Sequence, residues 1–63
     1  MDKIWIRTHV SSGDVSVHKN PPRPHMDGMR EEKTFNREGE EITTYFDSYG
    51  SARFVWIETV LYE

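Results

Sequence analysis

Along residues 4–10, Ile4, Ile6, Thr8 and Val10 alternate with Trp5, Arg7 and His9, the two-residue period of an extended strand. Ser11-Ser12-Gly13-Asp14 is a cluster of turn formers, and Val15-Ser16-Val17-His18-Lys19 resumes the alternation. Pairing Val10 with Val15 across the turn sets Thr8 opposite Val17, and Ile4, Ile6, Val10, Val15 and Val17 then form one apolar face. That face is expected to be the buried one, with Trp5, Arg7, His9, Ser16 and His18 turned outward. On this register Val17→Asp unfolds the domain and Ser16→Asp is tolerated.

A second hairpin is expected from Lys33-Thr34-Phe35-Asn36-Arg37, a two-residue turn at Glu38-Gly39, and the strand Glu40 to Phe46. Pairing Arg37 with Glu40 places Phe35 opposite Ile42 and Thr34 opposite Thr43, all favourable cross-strand pairs. Residues 29–33 also suit one or two helical turns by propensity. After the turn cluster Asp47-Ser48-Tyr49-Gly50-Ser51 comes the most apolar run, Ala52 to Tyr62. Its β-branched and aromatic residues favour a strand, and apolar residues on both sides mark a central one. Between the hairpins, Asn20-Pro21-Pro22-Arg23-Pro24 ends the second strand, because proline has no amide to give to a ladder. The fold class expected is all-β: a small antiparallel sheet of about five short strands, made of two hairpins and a long apolar C-terminal strand, with curling into a barrel as one outcome. The competing reading is α+β, with 52–62 helical. Residues 1–63 form a single domain, and 20–30 a long proline-containing loop.

Composition narrows the function. Sixty-three residues leave room for one small core, since a chain this short hides only about 60% of its unfolded surface. No run approaches the roughly 18 apolar residues of a membrane helix, so no membrane partner is expected. The chain has no cysteine, which removes disulfides, thiolate metal sites and cysteine nucleophiles together. Its first residues carry no apolar leader, and the location expected is cytoplasmic. Charge is uneven: residues 1–30 carry net +2 with all three histidines, and residues 31–63 carry net -5. If folding keeps the halves apart, the molecule has a dipole suited to self-association or to an oppositely charged partner.

Chemistry-bearing patterns are sparse. His9 and His18 fall short of the three or four ligands a zinc site needs, and Arg7 between them repels a cation; neither metal nor cofactor is expected. The adjacent pairs Glu31-Glu32 and Glu40-Glu41 point to opposite sides of a strand, which disfavours a shared acid/base site. No nucleophile motif of the Gly-x-Ser-x-Gly type occurs, so no enzymatic activity is expected. Pro21-Pro22-Arg23-Pro24 has the Pro-x-x-Pro spacing, but serves equally well as a stiff spacer. Trp5, Arg7, His9 and His18, joined from the loop by Pro22, Arg23 and His25, make the candidate partner-binding surface. Glu31, Glu32, Glu38, Glu40 and Glu41 make a candidate acidic patch.

These features point to a small non-enzymatic protein that modulates or inhibits a larger one, of the kind phages, plasmids and bacteria encode. The expected partner is another protein. A self-assembling homodimer comes second, its long C-terminal strand offering an edge to another copy. A single-stranded nucleic-acid binder comes last, because net charge is -3 and affinity for phosphates comes largely from cations.

Overall fold

The structure, a computed structural model, describes residues 2–24 and 26–61. Five strands form one antiparallel sheet: β1 (Asp2–His9), β2 (Val15–His18), β3 (Arg30–Phe35), β4 (Glu41–Phe46) and β5 (Ala52–Leu61). Their spatial order is β2-β1-β5-β4-β3. The sheet stays open, with β2 and β3 as its edges rather than closing into a barrel. The apolar run at the end of the chain is strand, not helix. It lies at the centre, hydrogen-bonded to β1 on one side and β4 on the other, so the edge expected for pairing with another copy is already used. The strand that begins at Arg30 also settles residues 30–33 as extended rather than helical.

Registers differ from expectation in both hairpins, for reasons that lie in the turns. In the first, Thr8 pairs with Val15 and Ile6 with Val17, a slip of two residues that leaves facing unchanged. The turn widens because the His9 amide donates to the Asp14 carbonyl at 2.8 Å and the Gly13 amide donates to the His9 carbonyl at 2.7 Å. In the second, Thr34 pairs with Ile42 and Phe35 with Glu41, a slip of one residue that turns each β3 side chain toward the other set of β4 partners. Asn36 causes it. Its side-chain Oδ1 accepts from the amides of Glu38 and Glu40 at 3.0 and 2.9 Å, and Gly39 supplies the left-handed residue at φ 82°. A three-residue loop of this kind replaces the two-residue turn. The turn between β4 and β5 repeats the device: Asp47 Oδ1 accepts from Tyr49 and Ser51, and Gly50 sits at φ 84°.

Directly paired residues share a face, so the register defines two surfaces row by row. One row runs Val17, Ile6, Ile57, Ile42, Thr34 across all five strands, and a neighbouring row runs Val15, Thr8, Val55, Thr44. On the opposite face the rows read Ser16, Arg7, Trp56, Thr43, Lys33 and His9, Phe54, Tyr45, Glu31. The core sits on this second face. Thr43, Tyr45, Phe54 and Trp56 are the buried residues among those described, and Trp5 and Met29 pack against the aromatic cluster.

The facing expected for the first hairpin is therefore reversed. Val15 and Val17 are 62% and 63% exposed, whereas Trp5, Arg7, His9 and His18 turn toward the core and are half-buried. Three large aromatic rings from β4 and β5 outweigh the aliphatic stripe of β1 and β2, since each ring hides about 150–250 Å². The loop after β2 closes over the aromatic side, where Met29 reaches the cluster. Among the described residues, nothing forms a layer above the aliphatic face.

Candidate functional site

The expected partner-binding residues meet on the aromatic face. Arg7, in the middle of β1, lays its guanidinium over two rings, 5.4 Å from the Phe54 centroid and 5.7 Å from that of Trp56. His9 stacks on Phe54 with centroids 4.9 Å apart, and His18 tilts against Trp56 at the same separation. The histidines thus flank Arg7 rather than touching each other. Cation–π attraction of this kind is worth roughly 0.5–2 kcal/mol per contact, and it explains how a polar-looking stripe can pack on an aromatic core.

Two recesses open between this face and the loop. One, of about 230 Å³, is lined by Arg7, His18, Arg23, Pro24 and Trp56. Its neighbour, of about 360 Å³, shares Arg7 and adds His9, Arg53 and Met26, with Asp14 as its only carboxylate. The first recess has two guanidinium groups and no carboxylate. Arg7 and Arg23 form no ion pair among the described residues, whereas Lys3, Arg30 and Lys33 each do. Pro22 is half-buried beside these groups in sequence, and His25 lies outside the described residues.

Three serine–histidine contacts were not expected from the sequence. Ser16 Oγ lies 2.7 Å from His18 Nε2, and His9 takes Ser11 and Ser12 on its two ring nitrogens at 3.2 and 3.1 Å. The i, i+2 spacing on one strand face was the available signal. No carboxylate among the described residues bonds His18 to orient it, the third element an activated serine ordinarily has. No group of three or more His, Asp or Glu residues among those described gathers to hold a metal.

The acidic residues do not form one patch. Glu31 accepts the Tyr45 hydroxyl at 2.8 Å on the aromatic face, and Lys33 bridges Glu31 and Glu41 there at 3.7 and 3.6 Å. Glu32 sits on the other face with Arg30 at 3.8 Å. Glu38 and Glu40 belong to the Asn36 turn, where Asn36 Nδ2 donates to Glu40 Oε1 at 2.8 Å. That bond first, and one from the Thr59 side chain second, hold the Glu40 carboxyl below its ordinary range. Tyr45 moves the other way: burial first, then its bond to Glu31, push the phenol up.

The strand order keeps the charges apart in part: β1, β2 and their flanks (residues 2–19) are net +1 on one side of β5, and β3, β4 and their loop (residues 30–46) are net -2 on the other. No helix among the described residues is long and apolar enough to cross a membrane. No protein-family model, no curated protein and no solved structure matches the chain.

Proposed function

We propose that this chain is a non-enzymatic protein-binding module that receives an acidic, extended segment of a larger protein against the cationic side of its aromatic face, and modulates that protein by occupying the segment. One observation carries the reading: Arg7, Arg23 and His18 converge with Trp56 and Pro24 on a recess that holds no carboxylate. Paired guanidinium groups are well matched to carboxylates, which they bind in bidentate geometry. At about 230 Å³ the recess is below the usual size of a drug-sized pocket and fits one or two side chains. Arg7 is held flat by the rings beneath it, so little conformational freedom is lost on binding.

A protein segment is favoured over nucleic acid by the rest of the charge. The β3–β4 half, residues 30–46, carries five carboxylates against three cations, and a long phosphate backbone running past the recess would meet it. The test is a titration of tryptophan fluorescence, which reports Trp56 at the recess, with a glutamate-rich dodecapeptide and with single-stranded DNA of equal charge. Saturable change with the peptide, lost in Arg7→Ala and Arg23→Ala, is the expected result. A response to DNA alone, or a peptide response that survives both substitutions, contradicts the reading.

A further inference from the structure

A sheet must cover its apolar side with a second layer, and the described residues supply none above the aliphatic face opposite the core. The exposed surface is 4835 Å², against about 4,250 Å² for a compact monomer of 7.5 kDa. The radius of gyration is 11.9 Å, where a compact chain of this length has about 10.6 Å. The surplus of about 600 Å² approaches the roughly 800 Å² that each partner buries in a stable interface.

We propose that a second copy of this chain covers the face, giving a two-fold β-sandwich with the aromatic faces outward. At the centre of the three inner strands the face is built from Ile4, Ile6, Ile42, Val55, Ile57 and threonines, with Asp2 at one end and Phe46, under Arg30, at the other. The central residues are all β-branched and uncharged, so a copy of the face opposes no like charge at its centre. Edge-to-edge pairing is the less suitable route. β2 has only four residues, and β3 presents Arg30, Glu31, Glu32 and Lys33 in succession, the charged edge that natural sheets use against such pairing.

Charge chooses the axis. A two-fold running along β5 stacks β5 on β5 of the other copy, β1 on β4 and β2 on β3. Each net-positive half then covers the other copy's net-acidic half, and Glu38, in the loop after β3, falls over Lys19, just past the end of β2. A two-fold across β5 would instead stack like on like. Aligned sheets pack about 10 Å apart with strands rotated by about 30°, close enough for these long rim side chains to meet. This inference stands apart from the acidic-segment reading, which uses the other face.

Sedimentation equilibrium on the full chain from about 1 to 500 µM is the test. The expected result is a reversible dimer. Ile57→Lys raises its dissociation constant about 100-fold or more while near-UV circular dichroism from the aromatic face is kept, because the lysine remains in water in the monomer. Val55→Thr, which keeps shape and strand preference, weakens it about tenfold and serves if Ile57→Lys does not fold. Glu38→Lys weakens the dimer several-fold, and adding Lys19→Glu restores it, since each pair occurs twice. A monomer at the highest concentration, or a dimer indifferent to both face substitutions, overturns the sandwich. A dimer that responds to the face substitutions and not to Glu38→Lys overturns the chosen axis.

Discussion

The two faces of the sheet share one backbone and differ in almost everything else. The aromatic face holds all four buried residues among those described, covers them with a loop and with the side chains of β1, and places cations on rings. The aliphatic face has comparable hydrophobicity and no buried residue. In a chain of this length there is enough material for one covered side only, and size decides which. Tyr45, Phe54 and Trp56 each remove more surface from water than any isoleucine or valine, so the loop and Met29 go to the rings. The lesson is that an apolar face of a small domain is a claim on a second layer, and the layer need not come from the same chain.

The largest way to break this contrast is to truncate a ring. Trp56→Ala, at a residue 4% exposed, is expected to cost about 3–5 kcal/mol, enough to unfold most of the population by urea titration of a domain this small. Full-strength folding of that variant would mean the core lies elsewhere. Tyr45→Phe sharpens the same side: it removes one half-buried hydroxyl bond to Glu31, worth at most about 1.5–3 kcal/mol, the range for a bond to a charged group. Alkali probes the same hydroxyl. The raised pKa of Tyr45 means that its contribution is fully present below the ordinary phenol value of about 10, and fades as pH climbs from there toward the folded value. A melting temperature that is flat between about pH 9 and 12 in wild type but not in Tyr45→Phe would contradict the assignment.

How much of this was legible beforehand follows from the range of each signal. Strand positions and turns are local, and alternation, glycines and prolines placed four strands and the second half of β3; its first residues, Arg30 to Glu32, fell in a stretch that also suits helical turns. β5 as a central strand was also legible, since apolar residues stand on both its sides. The register of β3 against β4 was not. It depends on whether Asn36 spends its side chain on two amides, a choice that adds one residue to the loop and turns Phe35 toward Glu41. Facing was not legible either. Val17 and Trp5 sit on opposite sides of the same hairpin, and only the arrival of Phe54 and Trp56 beside β1 settles which side is inside. That adjacency is a matter of strand order, which no local period encodes. At the candidate site, the loop's approach to Trp56 is of the same long-range kind, while the grouping of Arg7, His9 and His18 followed from alternation alone.

Smaller effects test the turns and the open side. Gly39→Ala, at φ 82° with open space around the new methyl, is expected to cost about 1 kcal/mol from backbone strain alone, read as a lowered urea midpoint with an unchanged slope. Val17→Asp, on the exposed edge, should shift stability by no more than about 0.5 kcal/mol, the reverse of what alternation in the first hairpin suggests. Smallest is the acid side. Glu40, held below its ordinary range by Asn36 and Thr59, contributes above its unfolded value of about 4.3 and ceases to as pH falls through the folded value. Asn36→Ala should remove most of that slope in a melting-temperature series from pH 6 down to 2.

The contrast between faces is tested most directly by solvent paramagnetic relaxation of Ile δ-methyl groups and the Trp56 indole proton, followed through a dilution series. The prediction is that the methyls of Ile6, Ile42 and Ile57 are strongly relaxed in the dilute protein and become shielded as concentration rises, while Trp56 is shielded throughout. Methyls already shielded at the lowest concentration, or a Trp56 indole relaxed as strongly as they are, would contradict it.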